Sequence, residues 1–276
     1  MIIKYVNSTG QEVNLNEMPY KMLVSDILDY EWEVITSSNK ITGFGYKVRE
    51  KKLNIDVHRG KEKGARENMN ALTDIFEKDI SSGIPGRLYI DDQYMVCYIK
   101  SSEKDNWETD QIIQCEYGII TDYPLWIAEK KHEFRINTGK EVGEYLDFPF
   151  DMPFDLMGDE KGIGNVILDH YASCDFLLTI YGPCLSPRIV IGQSIYEVKT
   201  KMGDGEYLTI DSRKGTVYRI RTNGGKVNEF DNRTTVPNSP FEKIQPGYNL
   251  VSWDGSFGFD LMLYIERSEP KWVQKR

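Results

Sequence analysis

The sequence predicts a mainly β protein of two β-sandwich-type domains, the first with one packed α-helix. Three observations lead there. Alternating apolar and polar residues recur along the whole chain, and only one stretch repeats its apolar residues at helical spacing. A polar run near the middle also divides 276 residues, long for one sandwich and ample for two separate cores. The predicted domains are residues 1–138 and 139–276.

In the first domain, residues 2–7 and 11–15 read as a hairpin turning at Ser8-Thr9-Gly10. Residues 20–36 are dense in apolar and aromatic side chains. From Asp29 on, Tyr30, Trp32 and Val34 alternate with Glu31 and Glu33 and predict a strand, whereas 24–28 suit either a strand or a helix. Gly43 and Gly45 mark a bend or bulge within 41–46. Residues 51–58 set Leu53, Ile55 and Val57 against Lys52, Asn54 and Asp56, the alternation of a half-buried strand.

The helix is predicted at about 65–80. Ala65, Met69, Leu72, Ile75, Phe76 and Ile80 recur at three and four residues, with Asp79 left off this inner face and Arg66, Glu67, Asn70, Asp74, Glu77 and Lys78 turned outward. Ser81-Ser82-Gly83-Ile84-Pro85-Gly86 ends it, because glycine closes a last turn and proline cannot extend one. Strands at 87–91 and 94–100 then meet in a tight hairpin at Asp91-Asp92-Gln93. Residues 101–110 read as an exposed charged loop. Its Trp107 is the one candidate interface residue, either a contact in solvent or a ring folded back onto the sheet. Strands at 112–121, with Ile113, Cys115, Tyr117 and Ile119 in phase, and at 126–136 complete the domain.

The polar run 137–143 is the expected boundary, and the Phe- and Pro-rich segment 148–154 reads as extended chain. Gly162-Ile163-Gly164 reads as a turn. Strands follow at 165–169, 175–181, 187–192 and 194–200. In Gly205-Glu206-Tyr207-Leu208-Thr209-Ile210-Asp211, Leu208 and Ile210 share one side, and a polar glycine-closed turn leads to a partner strand at 216–221. Pro246-Gly247 turns the chain into a strand at 248–253. In the last strand Phe257, Phe259, Leu261, Leu263 and Ile265 all point one way. Burying each is worth about 1.5–3 kcal/mol, so a second sheet must cover them.

The 205–211 strand, the corner Phe241-Glu242-Lys243-Ile244-Gln245-Pro246-Gly247-Tyr248-Asn249-Leu250, the last strand and the opening hairpin together resemble the distal tail proteins of long-tailed phages, the phage tail protein family. Ile244 stands where that family often has leucine, a volume-conserving exchange. The resemblance implies a galectin-like, jelly-roll second domain and a ring-forming first domain. It also implies a structural hub of a phage or prophage tail tip or baseplate: six copies in a ring between the tail tube protein and the tail-associated protein, with receptor-binding proteins as further partners. Assembly in the bacterial cytoplasm and residence in the virion tail tip follow from the same likeness.

The residues themselves restrict other functions. A net charge of -9 without a basic stripe argues against nucleic acid. No run approaches the roughly 20 apolar residues of a membrane span, and the N-terminus lacks signal-peptide character. Cys97, Cys115, Cys174 and Cys184 are too scattered for a zinc site. Cys174 and Cys184 could pair across a hairpin, but free thiols are expected. No nucleophile-elbow, zinc-protease, P-loop or dinucleotide pattern occurs, so no catalytic residue, metal or cofactor is expected. Two other readings remain: a carbohydrate-binding sandwich stacking sugars on Tyr181, Tyr196, Tyr207 or Trp253, and a glycosidase using two of the 43 acidic residues.

Overall fold

The computed structural model describes residues 1–136 and 162–272. The predicted linker 137–143 and the segment 148–154 lie outside the described residues. Packing divides the chain into two compact units, Met1–Ala128 with Glu266–Arg276, and Glu129–Ile265. Among the described residues the fold is mainly β with one α-helix, the predicted class.

In the first unit, β1 (Ile3–Val6) pairs antiparallel with β2 (Glu12–Asn14), Tyr5 facing Val13. The Asn7 side chain holds the turn between them by accepting the N–H groups of Thr9 and Gln11. Next come β3 (Tyr20–Met22), the hairpin of β4 (Glu33–Ser37) and β5 (Lys40–Gly45), and β6 (Arg49–His58). Helix α1 (Ala65–Ser82) ends on Gly83 at φ 64, the left-handed cap that glycine adopts without steric cost. The unit closes with β7 (Gly86–Ile90), β8 (Gln93–Asn106), β9 (Ile112–Thr121) and the start of β10 (Trp126–Phe134). β6 pairs with β3 and β9, and β8 pairs with β7 up to Cys97 and with β9 from Tyr98 onward.

The core of this unit forms where α1 covers Leu53, Ile55 and Val57 of β6 and Ile113, Cys115, Tyr117 and Ile119 of β9. Phe76 stands edge-on to Tyr5 at 5.0 Å and to Tyr117 at 5.2 Å. Two sequence expectations change here. Ile80, assigned to the inner face, is 51% exposed, and Asp79, left off it, is 0% exposed. Asp79 is buried because it has partners: its carboxylate accepts the Tyr5 hydroxyl at 2.7 Å and the Ser8 N–H at 2.6 Å. The loop expected over 101–110 is strand as far as Asn106. β9 supplies a ladder through Ser101↔Gly118 and Lys104↔Cys115, while side chains 101–105 stay in solvent and so carry no alternation.

The second unit comprises β11 (Gly162–Leu168), β12 (Asp175–Tyr181), β13 (Cys184–Leu185), β14 (Arg188–Ile191), β15 (Ser194–Glu197), β16 (Lys201–Met202), β17 (Tyr207–Asp211), β18 (Thr216–Ile220), β19 (Lys226–Asn228), β20 (Gly247–Trp253) and β21 (Phe259–Arg267). One sheet runs β19-β18-β17-β12-β21 and another β11-β20-β14-β15, and their inner residues make one core. As expected, Phe257, Phe259, Leu261 and Leu263 lie in it beside Leu208 and Ile210. Gly162-Ile163-Gly164 is not a turn but the first part of β11. A Cβ on Gly162 would stand 2.3 Å from the Trp253 ring, and one on Gly164 2.7 Å from Phe134. These glycines mark close packing of aromatic rings on a strand. Gly247, at φ 89, makes the predicted corner.

The buried acid supplies a test. Asp79→Ala leaves the Tyr5 hydroxyl and the Ser8 N–H without their carboxylate and is expected to lower stability by about 2–3 kcal/mol. Ile80→Ala should change it by less than about 0.5 kcal/mol. Denaturant unfolding followed by circular dichroism compares the two.

Candidate functional site

Reactive chemistry finds little support in the geometry. His58, His132 and His170 lie in separate parts of the chain, and among the described residues no group of three or more His, Cys, Asp or Glu side chains is placed to hold a metal. All four cysteines are free. Burial pushes the Cys97 thiol up to about 12 and that of Cys184 up to about 11, far from a reactive thiolate. What stands out instead is apolar surface.

One concentration lies on the β4–β5 hairpin. Strand begins at Glu33 rather than Asp29, and neither face of the ribbon is covered by the rest of its unit. Val34 and Phe44, cross-strand partners on one face, are 50% and 62% exposed, and Ile35 and Ile41 are 51% and 63% exposed. Ser38 and Asn39 take positive φ at the tip, as a two-residue hairpin turn requires, and opposite the Ile35–Thr36 step Thr42 is the extra residue of a bulge, within the 41–46 segment where one was expected, which adds local twist. Among the described residues β4 and β5 pair only with each other. A two-stranded ribbon with both faces wet is marginal by itself, so this arm is built to be covered.

At the base of the arm is a cleft of about 270 Å³, lined by Tyr30, Trp32 and Tyr46 together with Asp26, Asp29 and Glu31. Its floor is fixed. Arg49 donates to the Glu31 carboxylate at 2.8 Å and to the Glu31 carbonyl at 3.1 Å. Lys51 spends its ammonium on the carbonyl oxygens of Asp26 and Asp29, and burial holds its pKa below the usual lysine value. Tyr46 stands edge-on to Tyr123 at 5.2 Å, and burial, with Glu266 beside it, keeps the Tyr123 hydroxyl protonated.

Trp107, the interface residue expected from sequence, follows the end of β8 and is 62% exposed, so the folded-back alternative does not hold. In the second unit, Tyr181 and Tyr207 face each other across β12 and β17 with their rings partly in solvent. Tyr196 and Trp253 are core residues, which removes half of the proposed sugar-stacking set. The Tyr181 hydroxyl is occupied by Asp260 at 2.7 Å, and Lys131 pairs with the same carboxylate at 2.9 Å. Ile163, Ile167, Tyr248 and Leu250 form a second apolar row on the outer side of β11 and β20. Sequence reasoning missed the arm as a site. The only hint is that Val34 and Ile35, adjacent in a short strand, put an apolar side chain on each face, a pattern that buried strands share.

No family model and no curated protein matches the sequence. Among solved structures, the chain is similar to the crystal structure of the SPP1 Dit protein, described as a paradigm of the hub adsorption apparatus in phages that infect Gram-positive bacteria. The TM-score is 0.57 at 8% identity, over 97% of this chain and 100% of that one. It is also similar to a chain of the phage P2 baseplate in its activated conformation with calcium, at TM-score 0.59 and 12% identity, over 98% of this chain and 100% of that one. For the strontium form the TM-score is 0.61, again at 12% identity, with 98% and 99% covered. Likeness at such identities establishes a shared fold along nearly the entire chain.

The exposure of the arm has a measurable consequence. In the monomeric chain Phe44→Ser should change unfolding free energy by less than about 0.5 kcal/mol while reducing the fluorescence of a bound apolar dye. A loss of about 3 kcal/mol, the size expected for a core phenylalanine, would contradict the assignment.

Proposed function

We propose that the chain is a structural hub subunit of a phage tail tip or baseplate, a distal tail protein that acts as a ring of six copies without turnover. The observation that carries this reading is the match of the fold, end to end, to the SPP1 Dit protein and to a phage P2 baseplate chain, joined to an apolar arm without cover in its own unit. Covering such an arm with a neighbouring copy gives a heterologous contact, which closes into a ring when the rotation between copies divides a full turn.

On this reading the first unit builds the ring between the tail tube protein and the tail-associated protein. The second unit, a galectin-like sandwich, carries contacts to peripheral components such as receptor-binding proteins, with the apolar row on β11 and β20 as one such surface. Trp107 is a further contact residue. Main-chain pairing and apolar burial supply the adhesion, so nothing in the role calls for a nucleophile, a metal or a cofactor.

Sedimentation velocity tests the ring. The wild-type chain should show a species of six times the chain mass at high concentration. Val34→Asp combined with Phe44→Asp should abolish it with an unchanged circular dichroism spectrum. A wild-type protein that stays monomeric at every concentration, alone and with its tail tube protein, would remove the ring from this reading.

A further inference from the structure

Opposite ends of one strand display opposite charges, and at each end some of them form no hydrogen bond or ion pair among the described residues. The cleft below the arm lies at the Arg49 end of β6. Four carboxylates, Asp26, Asp29, Glu31 and Glu50, line it against two cations, Arg49 and Lys51. Both cations are engaged internally, Arg49 by Glu31 and Lys51 by carbonyl oxygens, and so are three of the acids: Glu31 by Arg49, Glu50 by Lys100 at 2.5 Å, and Asp26 by the Lys52 N–H. The Asp29 side chain, in contrast, makes no hydrogen bond or ion pair among the described residues, and the rings of Tyr30, Trp32 and Tyr46 stand half-exposed around it. An anionic site walled by electron-rich rings suits a cationic side chain.

The other end of β6 supplies such side chains. His58 closes the strand, and Arg59-Gly60-Lys61-Glu62-Lys63 leads into α1. Arg59 and Lys61 are exposed, and their side chains make no hydrogen bond or ion pair among the described residues. Lys63 lies 3.6 Å from Glu67. The backbone of this loop is held in place: Arg59 N–H donates to the Gln111 carbonyl at 2.8 Å, Gly60 N–H to the Lys63 carbonyl at 2.9 Å, and the Asn68 amide to the His58 carbonyl at 2.9 Å. The two bases are therefore displayed on a preset frame, and little ordering entropy is lost when they engage.

The ten residues of β6, at about 3.3 Å each, separate loop from cleft by roughly 30 Å. One copy cannot bring them together, but two copies placed head to tail can. We infer that the loop bearing Arg59 and Lys61 in one copy seats in the Asp29–Trp32 cleft of the next, a cation over the aromatic wall and an ammonium or guanidinium on Asp29. This contact rests on the ring reading above and names the charged lock that sets its direction. Apolar burial of the arm supplies adhesion, and the charged contact selects the partner and the register.

Charge reversal tests it in the full-length protein. Asp29→Lys replaces the carboxylate that would receive the loop with a cation, whereas Arg59→Glu with Lys61→Glu sets acids against Asp29. Each variant alone should need about tenfold more protein to assemble. Mixed in equal amounts, they should recover assembly as an alternating ring, as should one chain carrying all three changes. Wild-type assembly should also weaken with added salt. If the variants assemble as the wild type does, or if mixing restores nothing, the inference fails while the ring stands. If the wild type never assembles, the ring fails, and a fluorescein-labelled peptide of residues 57–67 decides the contact by anisotropy. Saturable binding lost in Asp29→Asn and Trp32→Ala upholds the recognition, and absence of binding overturns it.

Discussion

The first unit depends on the ten-pair antiparallel ladder between β6 and β9, from Arg49↔Thr121 to His58↔Ile112. Alternation along both strands puts Leu53, Ile55, Val57, Ile113, Cys115, Tyr117 and Ile119 on a single side, and α1 closes over that side. A slip of one residue would reverse every one of these side chains, so the buried face fixes the register. Everything proposed to act at the surface is referred to this ladder. The arm and its cleft precede β6, and the basic loop follows it. A rigid strand between two sticky ends converts a packing requirement into a directional one.

Polar satisfaction shapes the interior as much as apolar burial does. Asp79 lies fully buried at the end of α1 because Tyr5 and the Ser8 amide meet it there, and burial with this carboxylate nearby drives the Tyr5 hydroxyl far above its ordinary range. In the second unit Glu229 is buried yet stays acidic. Burial opposes its ionisation, but hydrogen bonds from Arg219, Asn232 and Thr200 outweigh it. Each unit thus carries a buried acidic side chain held by hydrogen bonds, Asp79 by residues about seventy positions away and Glu229 by residues from three to 29 positions away.

Legibility from sequence followed the same division. Stretches with one wet and one dry face, such as 51–58 and 112–121, declared themselves through alternation, and the apolar side of the last strand announced a second sheet. The outer part of β8 did not, since side chains 101–105 are all wet and their composition is that of a loop. Asp79 and Ile80 exchanged places because hydrophobicity is local, whereas the partners of Asp79 lie about seventy residues away in sequence. Gly162 and Gly164 looked like a turn because glycine serves both bends and tight packing, and only the Trp253 and Phe134 rings reveal which. Of the arm, alternation marked only the start of β4, while 41–46 was read as a bend or bulge although Lys40–Gly45 is strand, and its lack of cover was not legible. Nor was the cleft, whose walls come from 26–32, 46–51 and 124–125. Trp107 was legible as a candidate but not as exposed.

The bulge opposite the Ile35–Thr36 step bears on the life of a free subunit. A flat ribbon with two open edges and apolar faces invites sideways stacking into fibrils, the hazard of any unshielded edge. The extra twist at the bulge, with Lys40 at the turn and Lys47 just beyond β5, makes an endless in-register stack of identical ribbons unfavourable while leaving one shaped neighbour free to fit. On the proposed reading, that twist hinders fibril-like stacking of free subunits before a neighbouring copy covers the arm.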